Sequence, residues 1–467
     1  MTQAWYLQAP QMVPPLDPDF RPAVLAQRKF RAAVEASGQR EPLAIALESA
    51  DGAISRFQTT VFNQQDQRFD SNLALVERII KFLLWQRGGW RLVIGGPSAV
   101  GEHIRSVYAA DGARAFDVKL MSEVYGRPFQ VEVCAYDQVP AERLLVKALG
   151  RHLDGCRIGF DLGASDRKVS AVQDGQAVFS EEVVWHPREQ ADPQYHYDEI
   201  MAALKKAAAH LPRVDAIGGS AAGIYVNNSV RVASLFRGVS RDLFDKRVRG
   251  LFKELQQAWN NIPFEVINDG EVTALAGSMS LGVNRILGIA MGSSLAGGYV
   301  DGGGNVMGWL DELAFAPVDY QVQAARDEWS GDRGVGASYF SQMAVNRLAA
   351  QAGLKLDEGK TLAERLKDVQ ELMAAGDRRA QAIFETIGIY LGYAVAHYVE
   401  FYAMDHLLLL GRVMSGKGGD TIIAQAQAVL QLEFPELAQK LKLAVPDEAS
   451  RRVGQSIAAA SLPEISR

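Results

Sequence analysis

Asp269 is the residue in this sequence best placed to do chemistry. Residues 264–267 form a short apolar run that reads as a strand. Asn268-Asp269-Gly270 breaks it, and Glu271-Val272-Thr273-Ala274-Leu275-Ala276-Gly277 then reads as the start of a helix. A carboxylate at a strand end, facing a crevice between αβ units, is placed to take a proton from a substrate hydroxyl. The competing expectation is that Asp269 merely caps its helix. Glycine-rich strand ends spaced around it favour the first. Asp161-Leu162-Gly163-Ala164-Ser165-Asp166-Arg167-Lys168 is a strand end followed by a tight turn. Its backbone N–H groups and hydroxyl suit phosphate oxygens, and Asp161 can hold Mg²⁺ through water. Gly292-Ser293-Ser294-Leu295-Ala296-Gly297-Gly298 lets backbone approach a ligand closely and offers N–H groups to an anion. Two further stretches, Gly218-Gly219-Ser220-Ala221-Ala222-Gly223 and the loop from Gly411 to Gly419, which includes Gly416, end strands in the same way.

The elements that must position these residues alternate between strand and helix. Residues 157–161, 168–173 and 177–184 predict three strands, the first two joined as a hairpin, and residues 197–210 a helix. Strands follow at 214–217, 264–267, 285–291 and 406–410, with a hairpin at 227–232 and helix at 241–260. The last third is mostly helical and closes with a helix over 447–459. Ahead of all this, residues 1–40 combine a proline-rich arm with a helix at 22–36. Strands at 42–48 and 54–62 are joined at Asp51-Gly52, a hairpin signal. An amphipathic helix at 72–86, a strand at 91–94, the turn Gly95-Gly96-Pro97 and a helix at 99–109 complete an α/β module without a catalytic motif. A helix at 142–153 is expected to lead into the next domain.

Composition bounds the function. The chain has 467 residues, 48% of them hydrophobic and 22% charged, which suits a globular protein of two or three domains. Its 49 basic and 55 acidic residues form no basic block, so nucleic acid is not an expected partner. Two cysteines, Cys134 and Cys156, have no metal spacing and argue against a disulfide framework. The N-terminus lacks the charged start and apolar core of a signal peptide, and the most apolar helix, near residues 387–404, carries His397 and Glu400. No membrane partner is expected, and the cytoplasm is the expected location.

Taken in order, the Asp161 hairpin, the Asp269 strand end, the second glycine hairpin and the late glycine loop resemble the actin-like ATPase fold of sugar kinases and hexokinases. The spacing is most similar to the ROK family, over about residues 155–462. The resemblance implies an α/β, ribonuclease H-like, two-lobed kinase core with an extra N-terminal module: residues 1–153 as the module, 154–280 as the first lobe and 281–467 as the second. It implies ATP and Mg²⁺ as cofactors, a sugar-like small-molecule substrate and a homodimer. By the same resemblance Asp269 is the general base, Asp161 the metal-side carboxylate, and Gly163, Ala164, Ser165 and Lys168 the first phosphate loop. Gly292, Ser293, Ser294 and Gly297 match the second phosphate loop, and Gly411 and Gly416 the adenosine side. Ser220, Gly223, Asn268 and Glu312 join Asp269 on the substrate side. Departures cluster on that side. The family's histidine is Phe315, its zinc cysteines fall on Glu328, Ser330 and Val335, its sugar-binding glutamate on Ala337, and an asparagine near Ser234 is missing. No structural zinc is therefore expected, and a glucose-type substrate is doubtful while phosphoryl transfer stands. A non-catalytic sugar- or nucleotide-sensing regulator, or a pseudokinase, is the alternative on the same scaffold.

Overall fold

The computed structural model of the chain describes residues 4–144, 149–445 and 448–465. Three sheets organise it. The N-terminal part runs α1 (Ala23–Ser37), β1 (Arg40–Glu48), β2 (Ile54–Phe62), α2 (Ser71–Arg87), β3 (Arg91–Gly95), α3 (Ser98–Val107), α4 (Ala115–Tyr125) and β4 (Gln130–Cys134). Its sheet has the order β2-β1-β3-β4, antiparallel except for the β3–β4 pair. The hairpin expected at Asp51-Gly52 forms, with Asp51 in the left-handed region at φ 56°.

Next come β5 (Cys156–Leu162), β6 (Asp166–Gln173), β7 (Gln176–Val184), α5 (Pro193–Ala208), β8 (Ala216–Ala221), the small hairpin β9 (Ile224–Val226) and β10 (Ser229–Val232), the single turn α6 (Arg241–Leu243), α7 (Leu251–Ala258), β11 (Phe264–Asn268) and α8 (Asp269–Leu281). The third part contains β12 (Ile286–Met291), β13 (Leu295–Val300), α9 (Gln342–Gln351), α10 (Leu362–Ala374), α11 (Arg378–Tyr398), β14 (His406–Leu410), α12 (Gly416–Glu433), α13 (Pro435–Lys440), β15 (Lys442–Ala444) and α14 (Glu448–Ala460). The two core sheets share a plan. Each has an antiparallel hairpin, β5–β6 or β12–β13, continued by parallel strands: β8 and β11 in one, β14 and β15 in the other.

Three corrections to the sequence reading have physical causes. The strand expected at 214–217 is β8, which runs on through Gly218, Gly219 and Ser220 to Ala221, so those glycines are not a turn. A Cβ on Gly159 or Gly218 would collide with the backbone of Ser456 or Ala459, so glycine in β5 and β8 lets α14 lie directly on the sheet. Residues 281–467 are thus not spatially one unit, since α14 at the C-terminus packs against β5 and β8. The helix expected at 142–153 is absent from its described residues. Arg143 instead bridges Ile54 and Leu149 bridges Val306; residues 145–148 lie outside the described ones. Finally, α4 and β4 were not anticipated.

The N-terminal part is not a free-standing appendage. Val24, Phe30, Ile45, Ile80 and Trp85 share one continuous buried core with Leu287, Tyr390, Tyr398 and Leu409 of the third part. The proline-rich arm lies on α11, with the amide of Met12 donating to Tyr393 Oη (3.2 Å) and that of Leu16 to Thr386 Oγ1 (3.3 Å). Among the described residues no helix is long and apolar enough to cross a membrane.

Candidate active site

Asp161 ends β5 with its side chain buried at 6% exposure. Ser220 Oγ, fully buried on the neighbouring β8, donates to Asp161 Oδ1 (2.7 Å). Lys168 faces Asp161 across the β5–β6 hairpin, its Nζ 3.8 Å from Oδ2 and 3.3 Å from Asp166. Gln455 of α14 reaches the same pair, Nε2 lying 3.4 Å from Asp161 Oδ1 and 3.3 Å from Ser220 Oγ. Burial raises the Asp161 pKa, against the pull of the Ser220 hydrogen bond and the Lys168 charge. Ser220 is thus a partner of Asp161 inside the sheet, not a group facing a substrate. The turn that follows is clamped: Gly163 N–H donates to Asp166 O (2.9 Å) and Trp185 Nε1 donates to Gly163 O (2.8 Å). Ala164 is half-buried and Ser165 exposed at the tip.

The β11–α8 junction separates the two roles left open for Asp269. Asn268 is the cap: its Oδ1 accepts from Gly270 N–H (2.7 Å), and its Nδ2 donates to Gly223 O (2.7 Å). Asp269, the next residue, leaves the cap to Asn268; its Oδ1 accepts from the adjacent Gly270 N–H (3.0 Å). Burial first, and the charge of Asp161 second, raise its pKa to about 6. A carboxylate poised there is ionised at neutral pH yet more basic than an ordinary aspartate, as a general base requires.

Glu312 comes from a segment hung on the end of α2. The last carbonyls of a helix lack intrahelical partners. Here Gln86 O accepts from Asp311 N–H and Trp85 O from Glu312 N–H, both at 3.0 Å. Asp311 sits in the left-handed region at φ 48°, a costly conformation for a non-glycine residue. Its carboxylate accepts from Tyr402 Oη (2.6 Å), and burial lifts its pKa to about 7. Burial, then the charges of Asp269 and Asp311, lift Glu312 to about 8. Asp269 and Asp311 therefore both press on Glu312, the carboxyl of the three raised to the highest value.

Two glycine loops flank these carboxyls. At the β12–β13 tip Ser293 and Ser294 are exposed and Gly292 half-buried. Gly297 is buried instead, because a Cβ there would press on Asp311 O; Gly298 and Gly270 pack backbone to backbone in the same way. These glycines bring β13 against the N-terminus of α8. Gly411, at φ 95°, packs on the end of β12 at Met291. Gly416 is exposed at the start of α12, whose first turn has no side-chain cap. Such an N-terminus leaves N–H groups free for an anion.

The positions linked to zinc are built differently. Phe315 is buried in an aromatic cluster with Trp85 (4.4 Å between ring centres), Trp329 (5.2 Å) and Phe116 (5.6 Å). Val335 and Ala337 are buried, Ser330 donates to Asp327 (2.6 Å), and Ser234 accepts from Arg188 (3.2 Å). Asp332, in the same loop, pairs with Arg114 (2.8 Å), Lys81 (3.2 Å) and Arg78 (3.4 Å), and Lys81 also holds Asp117 (2.8 Å). Among the described residues no three His, Cys, Asp or Glu side chains converge as metal ligands.

A cavity of about 580 Å³ adjoins the site. Gly223, Asn268 and Glu271 line it; Asp161, Asp269 and Glu312 do not. Sequence reasoning missed Gln455, Asp311, Glu271 and Arg87. Of these only Asp311 and Glu271 carried a signal, as carboxylates beside residues already singled out.

No family model matches the chain, and no curated protein matches it. Solved structures do. The ROK hexokinase from Thermus thermophilus superposes with a TM-score of 0.51 at 18% identity, over 65% of this chain and 97% of that one. A ROK-family transcriptional regulator, described as a homologue of the E. coli MLC protein, superposes at 0.50 and 19% identity, over 78% of this chain and 88% of its own. The chain has the ROK fold. Its fold is that of these solved structures, with a further N-terminal part. Identities this low speak to the fold alone.

Proposed function

We propose that this ROK-fold chain is an ATP-dependent phosphotransferase acting on a hydroxyl of a sugar, polyol or related small molecule, with Asp269 as general base. The observation that carries the reading is Asp269 itself: relieved of capping by Asn268, held at the start of α8, and raised to about 6. The chain's own groups suit the cofactors. Asp161 is a single buried carboxylate beside Lys168, and Mg²⁺ is commonly held by one or two carboxylates together with phosphates and water. Ser165, Ser293, Ser294 and the uncapped start of α12 at Gly416 present hydroxyls and N–H groups at exposed tips. ATP would supply the phosphoryl group and Mg²⁺ the counter-charge to its phosphates. Asp269 would orient the attacking hydroxyl and accept its proton. Glu312, protonated near neutral pH, would hydrogen-bond a second hydroxyl without adding repulsion. Positioning and electrostatics would account for most of the acceleration, as in phosphoryl transfer generally.

A second reading, a sensor or pseudokinase without turnover, draws on Phe315 and Ala337, which remove hydrogen-bonding groups that the resemblance assigns to the sugar. The test is ADP release from ATP and Mg²⁺ across a panel of sugars, polyols and amino sugars. Substrate-dependent release supports the kinase. ATP binding without release on any substrate supports the sensor.

A further inference from the structure

The cavity beside Asn268 combines polar groups with an apolar wall. Its 580 Å³ falls mid-range for pockets that enclose drug-sized ligands, about 300–1,000 Å³. One end is polar. Asn268 and Gly223 stand there beside Glu271, which is 5% exposed and whose Oε1 has no hydrogen-bond partner. A buried carboxyl oxygen left without a partner costs free energy unless something meets it. Ala53, Ile54, Ile224, Val226, Met307 and Leu310 give the cavity an apolar wall, interspersed with polar groups such as Ser55 and Arg87. Ala53 and Ile54 belong to the N-terminal hairpin, and Asn227 of the β9–β10 turn ties that hairpin down by donating to Asp51 (3.1 Å). The polar end abuts the candidate base, because Asn268 precedes Asp269. The N-terminal part therefore supplies one wall of the cavity.

We propose that this cavity binds an apolar arm of the substrate, so that the chain acts on a hydroxylated compound carrying an alkyl, aryl or acyl group. Glu271 and Asn268 meet the polar groups at the root of the arm, and the hairpin wall buries its end. The assignment rests on the kinase reading for the reaction but not for the binding. Burying methylene groups in such a wall gains affinity that a free sugar cannot.

The test is calorimetric binding of paired methyl and hexyl glycosides, and methyl and phenyl glycosides, of several common sugars to the full-length protein with the ATP analogue AMP-PNP present. At least one hexyl or phenyl glycoside should bind tenfold or more tightly than its methyl partner. Ala53→Trp, which fills the cavity from the hairpin side, should erase that difference. Val226→Trp does so from the opposite wall, so one variant suffices should the other fail to fold; undiminished AMP-PNP binding identifies a folded variant. Equal affinities within every pair, no binding of any hexyl or phenyl glycoside, or a preference that survives both fillings would overturn the proposal. ADP release is read separately. A preference abolished by filling but without turnover keeps the cavity assignment and removes the kinase. Turnover on free sugars with no benefit from any arm does the reverse.

Discussion

Replacing Asp269 with Asn separates the base from the cap more sharply than any other single change. Asn268 already satisfies Gly270 N–H at 2.7 Å and anchors to Gly223 O at 2.7 Å, so the helix start does not depend on Asp269. Asn keeps the size and an acceptor oxygen, so folding should survive. Loss of a general base typically costs about 10²–10⁴-fold in rate, or about 2.7–5.5 kcal/mol of barrier. The pKa of about 6 adds a second signature. Only the ionised carboxylate accepts a proton, so wild-type turnover should be half-maximal near that pH and decline about tenfold per unit below it. The Asn variant should lose that limb of the profile. Stability should move the opposite way. A carboxyl whose folded pKa exceeds its unfolded value opposes folding once ionised. The penalty is absent well below the unfolded value of 3.8, grows from there toward pH 6 and is complete above it. Asp269→Asn should therefore melt at the wild-type temperature near pH 3 and higher at pH 8. The assays are coupled ADP release from pH 5 to 9 on the substrate that the panel identifies, AMP-PNP binding by calorimetry, and thermal unfolding at both pH values. Turnover within threefold of wild type would remove Asp269 from the chemistry.

Asp311 offers a larger electrostatic effect without chemistry. Its carboxyl is 1% exposed and is raised from 3.8 to about 7. Asp311→Asn, which keeps an acceptor for Tyr402, should stabilise the fold by up to about 4 kcal/mol above pH 7 and not at all near pH 3; pH-dependent thermal melts check this. Lys81 and Asp117 are each 1% exposed and paired at 2.8 Å. Lys81→Ala should cost about 3–5 kcal/mol by stranding a buried charge, while Lys81→Met with Asp117→Leu should recover most of it, as urea denaturation would show. Gly218→Ala should force α14 off β8, read as faster protease cleavage near residue 448 and weaker nucleotide binding through loss of Gln455.

Local signals in the sequence were enough for most elements of the fold. The hairpin at Asp51-Gly52, the long amphipathic α2, the five-residue run of β14 and the two glycine-tipped core hairpins all follow from short-range pattern. The helix α4 is equally legible in Phe116, Val118, Leu120, Met121 and Val124. What local pattern could not supply was contact between distant segments. Gly218 and Gly219 look like a turn until α14, more than two hundred residues later, is laid on the first and the ring of Phe160 on the second. Gln455 approaches Asp161 for the same reason. Ser220 and Gly297 sit in the right motifs, but neighbouring strands turn them inward.

The substrate side shows this most clearly, because loss and gain occur in different thirds of the sequence. Cysteines are missing at 328, 330 and 335, and an α/β module precedes residue 154. In the fold these meet. Asp332 of the altered loop is held by Arg78 and Lys81 of α2 and by Arg114 beside α4, while Phe315 packs on Trp85 of α2 and on Phe116. The end of α2 then fixes the backbone of Asp311 and Glu312 through Gln86 O and Trp85 O. This loop is held by the same helix that sets the candidate substrate carboxylate. Ion pairs and aromatic packing of this kind tie the site's geometry to the N-terminal part. Disturbing Lys81 or Trp85 should therefore shift substrate affinity as well as stability, even though neither residue faces the chemistry.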